Sequence, residues 1–390
     1  MKKGKKSRML CWLGTILLAM AFVGGTAVDQ GEAQALKEVS MTSYGVGTQA
    51  YVFSAGIAEA VEKVAGIKTR VIPAGNDISR MMPMRMGEVN FSIATGGTGW
   101  MVSHGMFDFA AATWGPQPLR MAWRGGNLFV GFYTRANAGI KNLSELKGKR
   151  VAQVPGSPTI NNIIKGGIAF GGLTMNDVKV ASFPSHGGAG KALTEGAIDM
   201  YQFGTTGSSP VETASSPGGI YWFDLDPKNE AAWSRLLEYC PWAAKGLATR
   251  YAGQEKGIKP FHALAYPYNI WTWDKIPADL VYAYAKAIWD GYDIYKSKHP
   301  ELPFWDHKAL VDSTGCFYPY HEGLVRLLKE KGAWTAQLDK FQKEQLANEA
   351  KRMALWEKSK KEAAAKNIKI GSDEWKDYWW NQVKANGLLR

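Results

Sequence analysis

The spacing of apolar and polar positions alternates short apolar runs with stretches of helical period, the order expected of an α/β chain. Residues 38–42 predict a first strand and 52–64 a helix, entered through the glycine-rich turn Gly45-Val46-Gly47-Thr48-Gln49-Ala50-Tyr51. Residues 69–73 predict a second strand. Gly75-Asn76-Asp77 caps a helix that Gly87 closes, and 89–94 predict a third strand ending in Thr95-Gly96-Gly97-Thr98-Gly99. Strand ends thus finish in glycine, hydroxyl or amide residues, and ligands of open α/β sheets bind beyond the carboxyl ends of strands.

Residues 119–134 hold extended-looking stretches broken by Gly125-Gly126. A short capped helix follows at Asn142 or Ser144, closed by Gly148, then a strand over 151–154. Pro155-Gly156-Ser157-Pro158-Thr159 next opens a helix, placing hydroxyls and free N–H groups where the helix dipole favours an anion, so a carboxylate would sit well there. Segments 178–183, 187–195 and 198–203 continue strand, helix, strand, with Gly204-Thr205-Thr206-Gly207 after them. From Pro277 the pattern is helical, over 278–299 and again over 338–367. Near the end, Trp375, Tyr378 and Trp379 share one helical face, read as a packing stripe with a membrane-partner contact as the alternative.

The first 35 residues change the picture of location. Lys2, Lys3, Lys5, Lys6 and Arg8 form a basic region, residues 9–28 are almost wholly apolar, and Ala33-Gln34-Ala35 is a small-x-small cleavage site. The expected product is exported to the periplasm and cut after Ala35; an uncleaved anchor is the alternative. Cleavage removes five basic and two acidic groups, lowering the net charge from +12 to +9, with 42 basic groups against 33 acidic. That charge is dispersed and stands beside no aromatic stripe, so nucleic acid is not an expected partner. Cys240 and Cys316 remain, either as one disulfide or as two buried thiols. A mature chain of about 355 residues is too long for one ordinary core and is expected to form two lobes.

The order of motifs over residues 38–332 resembles the TAXI family, the extracytoplasmic solute-binding proteins of TRAP transporters. The motifs are Gly45-Val46-Gly47-Thr48-Gln49 before a helix, Met86-Gly87-Glu88-Val89-Asn90-Phe91, the segments 139–151 and 155–159, 192–199, and the closing stretch 321–332 from His321 to Gly332. The sequence departs from the family at Gln49-Ala50, at Arg80 and at Thr95-Gly96-Gly97. The resemblance implies an α/β, two-lobed periplasmic-binding-protein fold, type II-like, with hinge-connecting segments and a helical C-terminal extension. Lobe I is expected over 36–130 and 262–340, lobe II over 131–261, and the extension over 341–390. It implies a glutamate-like or dicarboxylic ligand held between the lobes and passed to integral TRAP permease subunits. Tyr44, Thr48, Gln49, Tyr51, Asn76 and Thr95 from lobe I and Ser157, Thr159, Asn161 and Thr205 from lobe II are the expected ligand-binding residues. Arg80 or Arg124 is a candidate partner for a second carboxylate, against the plainer reading of a solvated surface charge.

Enzyme readings fare worse. Gly156-Ser157-Pro158 is not a nucleophile elbow, and Gly187-Gly188-Ala189-Gly190-Lys191-Ala192 lacks the Ser or Thr of a phosphate loop. The six histidines show no metal-ligand spacing, so neither metal nor cofactor is expected, and His321 reads as structural. Two classes remain: a transport receptor, or a periplasmic sensory module for a membrane signalling protein.

Overall fold

The computed structural model describes residues 37–389; the leader and its cleavage site lie outside the described residues. β1 (Glu38–Tyr44) runs parallel to β2 (Lys68–Ala74) and to β3 (Phe91–Thr95). Two helices connect these strands. α1 (Gln49–Ala65) is capped by Thr48, buries Phe53, Ile57, Ala60 and Val61 on one face, and stops at Gly66, whose φ of 67° suits glycine. α2 (Asp77–Met86) begins with a capping box between Asn76 and Ser79.

After α3 (Gly96–His104), β4 (Leu119–Arg135) leads into a second set of units: β5 (Arg150–Gln153), α4 (Pro158–Phe170), β6 (Lys179–Ser182), α5 (His186–Thr194), β7 (Tyr201–Gly204) and α6 (Ser208–Ser215). β8 (Ile220–Trp222), α7 (Glu230–Tyr239) and β9 (Ala244–Ala248) complete it, and β10 (Phe261–Trp273) returns the chain. The path β2-β1-β3-β10-β4-β7 forms one sheet, with β8 on β4 and β9 on β10. Because β10 pairs with β3 through 268–271 but with β9 through 261–265, and β4 meets β7 only from Val130 onward, these two long strands are the crossing segments between two α/β lobes. A register shift between Pro267 and Asn269 marks the crossing on β10.

Two expectations are corrected here. Gly125-Gly126 does not break the strand; a Cβ on Gly125 would come within 2.3 Å of the Trp305 ring, and one on Gly126 within 2.6 Å of the Phe304 carbonyl, so the pair admits the loop that packs on the crossing. The segment Gly96-Gly97-Thr98-Gly99, expected as the end of a strand, is a wholly buried first turn of α3, capped by Thr95. Its glycines give room to tryptophans: a Cβ on Gly97 would lie 2.3 Å from Trp242 and one on Gly99 2.2 Å from Trp271.

The helical segment over 278–299 divides into α8 (Ala278–Asp290) and a single turn, Tyr292–Tyr295, after Gly291. His321 caps α9 (Glu322–Glu330), accepting the Gly323 N–H at 3.1 Å. α10 (Ala336–Ala365) and α11 (Asp373–Ala385) form the extension, which packs on lobe I. Arg120 forks onto Glu349 at 2.6 and 2.9 Å, and Trp379 donates to the His104 carbonyl at 3.0 Å. Trp375 and Trp379 are fully buried, each meeting Trp356 edge-on at 4.9 Å, so this face is used for packing. Cys240 and Cys316 are both free and buried. No helix among the described residues is long and apolar enough to cross a membrane.

Candidate functional site

The carboxyl ends of β1 and β3 and the N-termini of α1 and α2 in lobe I face the N-terminus of α4 and the end of β7 in lobe II, and the two sides touch. Asp77, the first residue of α2, is at the centre and wholly buried. One carboxylate oxygen accepts from the Tyr44 hydroxyl at 2.7 Å, from Arg80 Nη2 at 2.7 Å and from the Thr98 hydroxyl at 3.3 Å. The other accepts the Thr159 backbone N–H at 3.0 Å, across the lobes. The anion seat at the start of α4 therefore does hold a carboxylate, and it is the chain's own.

Further bonds cross the cleft beside it. The Asp77 N–H donates to the Ser157 hydroxyl at 3.3 Å, the Ile78 N–H to the Gly156 carbonyl at 3.0 Å, and the hydroxyls of Thr98 and Thr159 pair at 3.0 Å. Gln49 donates to Thr206 at 3.0 Å, and the Ser208 hydroxyl to the Gly47 carbonyl. At the rim, Arg250 forks onto Glu301 at 3.1 and 2.8 Å. The lobes stand closed.

Between them remains a cavity of about 50 Å³. Lobe I contributes Tyr44, Thr48, Gln49 and Thr95; lobe II and the crossing strands contribute Leu128, Thr159, Ile163, His186, Gln202, Phe203, Tyr266 and Tyr268. His186 stacks on Phe203 at 4.0 Å between centroids and shares a 2.8 Å hydrogen bond with the Tyr201 hydroxyl. Burial, aided by the nearby Arg80 charge, drives its pKa down to about 3, so the imidazole is neutral at working pH. Tyr44 is pushed well above the ordinary phenol range by burial and then by the Asp77 charge, and remains a donor. Burial opposes the charge of Arg80, but the charge and hydrogen bond of Asp77 hold the guanidinium protonated, 3.8 Å over the Tyr44 ring.

Of the residues expected from sequence, Tyr44, Thr48, Gln49, Thr95 and Thr159 line this cavity. Ser157 lies beside it in the cross-lobe network. Asn76 is spent on capping α2. Asn161 folds back on Val154, bonding its N–H and its carbonyl at 2.9 Å each, and the Thr205 hydroxyl is tied to the Arg250 carbonyl at 2.8 Å. Tyr51 is half-buried on α1, outside the cavity lining. The surface-charge reading of both arginines is corrected, since Arg80 is 0% and Arg124 1% exposed. Each pairs with a carboxylate of the chain, Arg80 with the buried Asp77 and Arg124 with the part-exposed Asp312 at 3.0 Å. Desolvating a guanidinium demands such a partner.

Asp77, His186, Gln202, Tyr266 and Tyr268 were not signalled as site residues. An acid at the start of a helix ordinarily serves the dipole, which hides the role of Asp77. Tyr266 and Tyr268, two apart on a strand, do share a face, and that alternation was the available signal. A wider groove of about 610 Å³ lies between lobe II, α11 and the segment after α3, lined by Asp108, Lys165, Asp373, Lys376 and Asp377 among others. No cluster of three or more His, Cys, Asp or Glu placed to hold a metal ion occurs among the described residues.

A model of the NMT1-like family matches residues 41–332, nearly the span over which the sequence resembles the TAXI family. The chain is also similar to solved structures. One described as a periplasmic transporter is 14% identical, covers 65% of this chain and 83% of its own, and has a TM-score of 0.46. PhnD1 from Prochlorococcus marinus in complex with methylphosphonate is 10% identical over 77% of this chain and 100% of its own, with a TM-score of 0.43. The alkanesulfonate-binding protein SsuA from Xanthomonas axonopodis pv. citri bound to MOPS is 13% identical over 81% and 93%, with a TM-score of 0.43.

Proposed function

The chain belongs to the NMT1-like family, and from that premise we propose that it is an extracytoplasmic solute-binding receptor which captures one small molecule between its lobes and delivers it to a TRAP-type membrane permease. The observation that carries the proposal is the cavity itself, lined from both lobes and bounded by bonds that exist only when the lobes are closed. A solute enclosed this way stabilises the closed form by its differential affinity for it, and closure is the signal a membrane partner reads. The leader sequence supports a periplasmic location. The TAXI resemblance supports the TRAP permease as partner and implies a small organic acid as cargo; Asp77 in the anion seat bears directly on that last point. Binding needs no metal or cofactor. Uptake into proteoliposomes carrying a TRAP-type permease of the same source tests the reading: transport that depends on the added receptor is expected. Solute binding without any receptor-dependent uptake would favour the sensory module instead.

A further inference from the structure

The charge balance of the cleft points to the class of solute, an inference that rests on the receptor reading above. Lobe II offers one anion seat, the N-terminus of α4, and lobe I one buried cation beside it, Arg80. A single side chain already serves both: Asp77 meets Arg80 at 2.7 Å with one oxygen and the Thr159 N–H at 3.0 Å with the other. What remains facing the cavity is uncharged. Tyr44 lines it with its hydroxyl already given to Asp77, Gln49, Gln202, Tyr266 and Tyr268 bring amide and hydroxyl groups and His186 a neutral imidazole, and no Asp, Glu, Lys or Arg is among the described residues of the lining.

A carboxylate entering this space would meet no free cation, and an unpaired buried charge is strongly disfavoured. Amide and hydroxyl groups would find both donors and acceptors, with Leu128, Ile163 and Phe203 covering apolar carbon. The size is small as well. A water needs about 10–15 Å³ of such space, and the cavity offers about 50 Å³.

We propose that the solute is an uncharged hydrogen-bonding molecule, an amide, lactam or small polyol, and that Asp77 supplies from within the chain the negative charge that joins Arg80 to the start of α4. The acid expected from the family resemblance is then the group this site has made internal.

Calorimetric titration of the full mature chain with matched pairs tests this: lactamide against lactate, succinamide against succinate, and 2-pyrrolidone against 4-aminobutyrate. The uncharged member of at least one pair is expected to bind about ten-fold or more tightly than its charged counterpart. Asp77→Asn keeps the shape but leaves Arg80 and the Thr159 N–H without their anion, so in that variant the preference should swing toward the acid by a similar factor. Should this variant not fold, the wild-type comparison decides alone. Tighter binding of the acids by the wild type would overturn the solute class while leaving the receptor reading standing, and an unchanged preference in folded Asp77→Asn would overturn the role of Asp77. If no member of any pair binds, the proposal fails and the receptor reading weakens with it.

Discussion

His186 shows how one buried side chain couples the site to pH. Its pKa is held at about 3 by burial, whereas the unfolded chain titrates near its ordinary 6.5. Between these values the unfolded state binds the proton and the folded state does not, so stability is full above about pH 6.5 and is lost as pH falls toward 3. The slope from one such group is about 1.4 kcal/mol per pH unit. His299, lowered to about 4 by burial, adds to the same acid limb. Denaturant unfolding of His186→Phe between pH 7 and 4 should therefore show a shallower decline than the wild type; parallel curves would mean that His186 is protonated in the fold. At this scale the sequence was legible only in part. Thr48, Thr95 and Thr159 stand where hydroxyls at strand ends and helix starts placed them, and all three border the cavity. Asn161 and Thr205 carry the same signal but are drawn into Val154 and Arg250, because a short polar side chain bonds the nearest free backbone group.

Single elements were read well where a cap or a period marked them and poorly where packing decided. Asn76 and Gly87 bound α2 as their chemistry requires, whereas α1 starts three residues earlier than the expected 52, because Thr48 caps it and Gln49–Tyr51 form its first turn. The glycine-rich turn of α3 reads locally as a loop, yet it is helical, capped by Thr95, and its glycines are needed because Trp242 and Trp271, from distant parts of the chain, pack where side chains would stand. Long-range contact of this kind leaves no local signature. The extension is the element whose role is most testable. Trp379 is fully buried, donates to the His104 carbonyl and packs on Trp356, so Trp379→Ala removes a large apolar body and leaves a buried acceptor unpaired. It should cost about 3–5 kcal/mol in unfolding free energy and leave solute affinity of the folded fraction unchanged, since α11 does not line the cavity. A loss below 1 kcal/mol in denaturant titration would mean that the extension is only loosely docked.

For the whole molecule, chain length anticipated two lobes and the family resemblance supplied connecting segments between them, but neither signalled that long shared strands make the crossing. The crossing through β4 and β10 depends on strands of 17 and 13 residues that serve both lobes, and such sharing is a property of pairing partners far apart in sequence. The same holds for the latch: Asp77 and Thr159 meet only because closure brings α2 against α4. The central claim is that solute is held in the cavity these contacts enclose. Leu128 lines it from β4, together with Thr95 and Thr159, and Leu128→Trp would add bulk to that space while leaving the residues of the Arg80–Asp77 pair unchanged. Calorimetric titration of a solute bound by the wild type into this variant is the most direct measurement. Affinity should fall by about a hundred-fold or more, equivalent to about 2.7 kcal/mol. Retention of the wild-type affinity would contradict the account and place binding elsewhere, with the groove beside α11 as the next site to examine.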